Sequence, residues 1–143
     1  MNISIETGII IGITLILLPM IWKWQWATRR TKIIDKEIQG LRQRILVVTS
    51  NNIPGKEIRD TLGSVTGISS IAAAGGAEVT LAEKEAMLDI INRAISMGAN
   101  ALIDLKMTTS AYEQQGLEGI VSSVLYNKKM ASKVIYNGTA VRI

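Results

Sequence analysis

Glu85 and Asp89 stand four residues apart, so on a helix their carboxylates share a face. Two such groups can hold a hard cation such as Mg²⁺ or Ca²⁺ through oxygen ligands. The same pair is also the ordinary content of a solvated helix face. A second concentration of charge, Lys56, Glu57, Arg59 and Asp60, follows a Pro-Gly turn. It reads either as surface ion pairs, each worth under about 1 kcal/mol, or as a contact with a subunit or partner. Ser50, Ser64 and Ser110 have no His to activate them, and no spacing singles out a Ser-Lys pair. Gly55, Gly63 and Gly67 are too sparse for a phosphate loop and lack the following Lys-Ser/Thr, so they read as turns and a bulge.

The 143-residue chain contains neither Cys nor His. Disulfides, thiolate metal sites, cysteine nucleophiles and imidazole acid–base chemistry are therefore excluded. The expectation is a non-catalytic protein with no cofactor and no metal.

The elements that must carry these residues begin at Ile45. "RILVV" is a short β-rich run ending in the turn formers Asn51, Asn52, Pro54 and Gly55. Ile58 to Ile68 is β-branched with two glycines, a strand with a bulge or bend. Thr80 and Glu83 have the spacing of a capping box. Ala86, Met87, Ile90, Ile91, Ala94 and Ile95 then form one apolar face, and Gly98 supplies a stop, so a helix is predicted over about 81–97. "ANALIDLKMTTSA" alternates as a half-buried strand. "GIVSSVLYNKK" and "SKVIYNGTAVRI" read as two more strands, joined as a hairpin near Asn127 to Ser132. That order predicts an α+β domain: a largely antiparallel sheet with one packed helix and an uncovered face or edge.

"VVTSNNIPGKEIRDTLGSVTG", "MGANALIDLKM" and "YNGTAV" occur in this order and together resemble the YbjQ-like family of heavy-metal-binding domains, over roughly Leu46 to Val141. The resemblance implies a compact α+β fold and a symmetric ring, typically a pentamer. Relative to the family pattern, the stretch between Gly67 and Ala82 is shorter and the hairpin around Lys128 and Lys129 longer.

Ahead of the domain, Thr7 to Trp22 contains no charge. Counted from Ile3 to Trp24, a helix would rise roughly 33 Å, enough for a hydrocarbon core of about 30 Å. A cleaved signal peptide fits less well, because no basic residue precedes the run and bulky tryptophans follow it. A soluble core helix would rarely be apolar on every face. Trp22, Trp24 and Trp26 read as interfacial aromatics, and Lys23, Arg29 and Arg30 as markers of the cytoplasmic side. The prediction is a single-pass anchor over residues 1–26, N-terminus outside, in the inner membrane. A charged juxtamembrane stalk over 27–44 and the domain over 45–143 follow it. Within the stalk, Ile34, Ile38, Leu41 and Ile45 form a short seam, either lying on lipid or on the domain, or bundling between subunits.

Through Arg44 there are seven basic and three acidic residues; from Ile45 there are nine of each. The excess beside the apolar run is expected to face the membrane, with no nucleic acid bound. The expected function is a membrane-anchored oligomeric scaffold or interaction module facing the cytoplasm, with an unidentified protein partner. The alternative is a small-ligand or metal-binding module with sites at subunit junctions. Asn52, Glu57, Arg59, Asp60 and Asp104 are the candidate subunit or ligand contacts.

Overall fold

A computed structural model describes residues 5–73, 76–112 and 131–143. Its elements, in chain order, are α1 (Ile5–Leu41), β1 (Leu46–Val47), β2 (Asp60–Ile68), α2 (Ala77–Ser96), β3 (Ala101–Tyr112) and β4 (Ala131–Arg142). The strands form one sheet in the order β1-β3-β4-β2.

Helix α2 follows from its apolar spacing. Leu81, Ala82, Ala86, Ile90, Ile91 and Ala94 are all buried along one face. Fully burying a side chain such as Leu81 or Ile90 stabilises the fold by about 1.5–3 kcal/mol. The helix begins earlier than the capping-box pattern predicts. Gly76, at φ 56°, starts it without a side-chain cap, leaving Thr80 exposed within the helix. A glycine that enters the left-handed region at no steric cost displaces the Thr cap. The stop is as expected: Gly98 has φ 82°, its N–H donates to Ile95 O at 2.9 Å, and Ala99 N–H donates to Ala94 O at 3.1 Å.

Strand β2 carries the expected bulge, with a register shift between Thr61 and Gly63, where Gly63 has φ 136°. Val65 and Gly67 are buried toward α2 while Ser64, Thr66 and Ile68 point away. Ser69 ends the strand: its N–H donates to Val134 O at 2.9 Å, and its Oγ accepts from Val134 N–H at 3.1 Å.

The sheet is mixed, which corrects the largely antiparallel expectation. β3 and β4 pair antiparallel, from Ala101↔Val141 to Tyr112↔Ala131, but β1 joins β3 in parallel. The reason is topological: α2 intervenes between β2 and β3, and that long crossover lets the chain return beside β1 in the same direction. A second bulge in β3, between Ile103 and Lys106, holds Asp104 at φ 53°. It shifts the alternation, so Leu102 and Leu105 both face the α2 core while Ala101 and Ile103 pack with Ile53 and Val141. The predicted strand "GIVSSVLYNKK" and most of its hairpin lie outside the described residues.

Helix α1 requires the larger correction. Among the described residues, no helix is long and apolar enough to cross a membrane. This overturns the anchor, the single-pass topology and the inner-membrane location. The expected span counted from Ile3, which lies outside the described residues. The helix then runs through the expected anchor–stalk boundary without a break. Ala27, Ile34 and Ile38 are buried in the same core as Leu81 and Ile90. Lys84 Nζ lies 2.6 Å from Asp35 Oδ1, and Arg30 Nε donates to Glu85 Oε1 at 3.1 Å. The fold thus has two packed helices, α1 on α2 and α2 on the sheet. The seam of Ile34, Ile38, Leu41 and Ile45 lies on the chain's own domain.

Trp22, Trp24 and Trp26 are exposed, and the Arg30 guanidinium lies over the Trp26 ring at 5.8 Å. Arg29 is exposed, and the side chain of Lys23 is outside the described residues.

Candidate functional site

Where α1 ends, the chain turns sharply. Arg44 N–H donates to Leu41 O at 2.8 Å and Ile45 N–H to Leu41 O at 3.1 Å. Ile45 plugs into the core, and Leu46 N–H donates to Asn100 O at 3.0 Å, starting β1. This leaves Arg42 and Arg44 projecting from the corner. Across from them runs the segment before β2, held by Arg59 N–H donating to Arg142 O at 2.8 Å. Asn100 stiffens the floor: its Nδ2 donates to Ile143 O at 3.1 Å, and its Oδ1 accepts from Ile143 N–H at 2.9 Å.

The result is an open cleft of about 570 Å³ lined by Arg42, Arg44, Lys56 and Arg59, with Glu57 as its one acidic side chain. Among the described residues these four cations make no ion pair, whereas Arg30, Lys84, Arg93 and Lys106 do. Lys56, Glu57, Arg59 and Asp60 therefore do not neutralise one another as a surface ion-pair patch would. The sequence showed half of this site. Arg42 and Arg44 belonged to the expected stalk, and only the turn after Leu41 brings them to Lys56 and Arg59.

The remaining candidate contacts separate from the cleft. Asp60 opens β2 opposite Arg142 in the β4 register. Asn52 and Asp104 meet at the β3 bulge through Ser50, whose backbone O accepts from Asp104 N–H at 2.8 Å and whose Oγ donates to Asn52 O at 2.6 Å. Asp104 is paired with Lys106 at 3.1 Å.

Glu85 and Asp89 are not a solvated acidic face. Glu85 is buried and accepts from Arg30, from Ser70 N–H at 3.1 Å, from the Ser70 hydroxyl and from Ile71 N–H at 3.4 Å. Asp89 accepts from Ile68 N–H at 3.0 Å and from Arg93 Nε at 3.0 Å. Both carboxylates tie α2 to the end of β2, work that no helical periodicity displays.

Tyr136 is half-buried on β4. Burial, with the Glu83 carboxylate adding to it, pushes its phenol up from 10.0. The folded state thus prefers the neutral phenol. That stability is fully present below about pH 10 and is lost as pH rises through the folded value. As pH rises above 10, Tyr136→Phe should lose less stability than wild type in denaturant titrations; equal slopes would exclude this coupling.

No family model matches the chain. A UPF0145 protein of Photobacterium profundum is 32% identical over 118 residues, an alignment covering 69% of this chain and 100% of the relative. The chain belongs to the UPF0145 family. This bears out the YbjQ-like resemblance of the three motifs. Among solved structures, a DUF74-family protein of unknown function from Pediococcus pentosaceus covers 69% of the UPF0145 chain and 97% of its own, at 18% identity and TM-score 0.35. A likeness of that size carries no argument.

The heavy-metal label attached to the resemblance does not fit the residues present. Soft metals select thiolate and imidazole ligands, and this UPF0145 chain has no Cys or His. Glu85 and Asp89 are engaged by protein donors, and no group of three or more acidic residues among the described ones could hold an ion.

Proposed function

We propose that this UPF0145 protein is a non-catalytic module that assembles with copies of itself to present an interaction surface. The observation that carries the reading is the pair of open sheet edges. β2 is terminal in the sheet, and β1 covers β3 only at Ala101 and Leu102. The segment after β1 continues along that edge, with Asp104 N–H donating to Ser50 O at 2.8 Å and Leu105 N–H to Val48 O at 3.5 Å; from Lys106 onward the outer edge of β3 has no strand partner among the described residues. Unpaired strand edges template pairing with another chain. Each edge also carries an exposed apolar side chain, Ile68 on β2 and Met107 on β3. Edge β2 of one copy against edge β3 of the next is a head-to-tail contact, which closes into a ring when the rotation permits. The absence of Cys and His supports the non-catalytic part.

Light scattering on the purified chain should give a mass several times 15.6 kDa. Ile68→Lys, which places a charge on the open edge, should lower that mass toward one copy while leaving the melting temperature within a few degrees. A monomeric wild-type protein at tens of micromolar would sink the reading.

A further inference from the structure

We propose that the basic cleft binds a compact anion bearing two or more phosphate groups. Three independent features lead there. The first is charge: Arg42, Arg44, Lys56 and Arg59 converge on one concavity whose one acidic side chain is Glu57, and none of the four has an ion-pair partner among the described residues. Four like charges brought together repel one another, and an anion placed among them relieves that repulsion. The second is shape. A volume of about 570 Å³ is that of a small-molecule pocket and too small for a folded partner. The third is donor chemistry. Three of the four cations are arginines, whose planar forks donate two parallel hydrogen bonds to phosphate oxygens.

A plain alternative covers only part of this. Cations following a helix C-terminus complement its negative end, which accounts for Arg42 and Arg44 after Leu41. It does not account for Lys56 and Arg59, which come from a separate segment and close the other side. Nor does the cleft suit a nucleic-acid strand. It contains no aromatic side chain on which a base could stack.

The test uses the full chain with inorganic tripolyphosphate, pyrophosphate and orthophosphate as probes, read by titration calorimetry at low and high salt. Affinity should rise with the number of phosphates and weaken with salt. Arg59→Ala should weaken tripolyphosphate binding about tenfold. Lys106→Ala, which removes an equal charge outside the cleft, should change it less than about twofold. Glu57→Gln, which removes the cleft's one acidic side chain, should tighten binding about threefold, a gain that misfolding cannot produce. Absence of tripolyphosphate binding at millimolar concentration would overturn the proposal. So would equal losses in Arg59→Ala and Lys106→Ala, or no tightening in Glu57→Gln. A single-stranded oligonucleotide that outcompetes tripolyphosphate would overturn it in favour of a nucleic-acid surface.

Discussion

Gly67→Ala should destabilise the fold by at least about 3 kcal/mol. Gly67 is buried on β2 where α2 crosses the sheet at backbone distance. A methyl group there would meet Ala86 O, lie 2.5 Å from Ile90 N and 2.6 Å from Ile90 Cβ. Two of those three atoms are backbone, so no rotamer change opens the space. Either α2 moves off the sheet, opening voids beside Ile90 and Val65, or β2 bends at a cost in its pairing with β4. Gly40→Ala is the matched control. Gly40 lies in the last turn of α1 with nothing within 4 Å of an added Cβ, so alanine should stabilise by about 0.5–1 kcal/mol. Urea midpoints of the two variants should therefore move in opposite directions. A Gly67→Ala loss below about 1 kcal/mol would show that α2 and β2 are not in close contact.

The second large effect is expected at Glu85. Glu85→Ala should cost about 3 kcal/mol, because it strands several donors together. The amides of Ser70 and Ile71, the Ser70 hydroxyl and the Arg30 guanidinium all lose their acceptor. Arg30→Ala should cost only about 1 kcal/mol, since Arg30 is 52% exposed and water replaces its partner. The asymmetry identifies the main role of Glu85 as holding the loop after β2, with the ion pair to α1 secondary. A double-mutant cycle measured by denaturation checks this. Equal costs for the two single variants would instead make the α1–α2 ion pair the principal interaction.

Much of the domain was legible. The 3.6-residue period of the α2 face, the Gly98 stop and the β2 bulge were all readable, because each depends on residues within one or two turns of chain. The start of α2 was misread because a left-handed glycine and a Thr cap are both sound beginnings, and packing chose between them. Glu85 looked like a surface residue because its period was right for either environment. Only the approach of the Ser70–Ile71 loop buries it.

The N-terminal reading failed for a related reason. Hydropathy measures what a segment would do alone, and α1 is not alone. Its Ala27, Ile34 and Ile38 stripe packs in one core with Leu81 and Ile90 of α2, and its Arg30 and Asp35 pair with Glu85 and Lys84. Basic residues counted beside an apolar run say nothing about which acid, ring or cleft they will face.

The candidate site divides in the same way. The sequence by itself determined that no thiol or imidazole chemistry is available, that one amphipathic helix packs on β-rich segments, and that Lys56, Glu57, Arg59 and Asp60 form a charged group. Composition and short-range periodicity are local properties, and they survive folding unchanged. Only the tertiary structure decided that Arg42 and Arg44 join Lys56 and Arg59 across one cleft, and that Glu85 is a buried acceptor. Both depend on where chain segments meet after the turn at Leu41 and the crossover of α2, and no spacing along the chain encodes that distance.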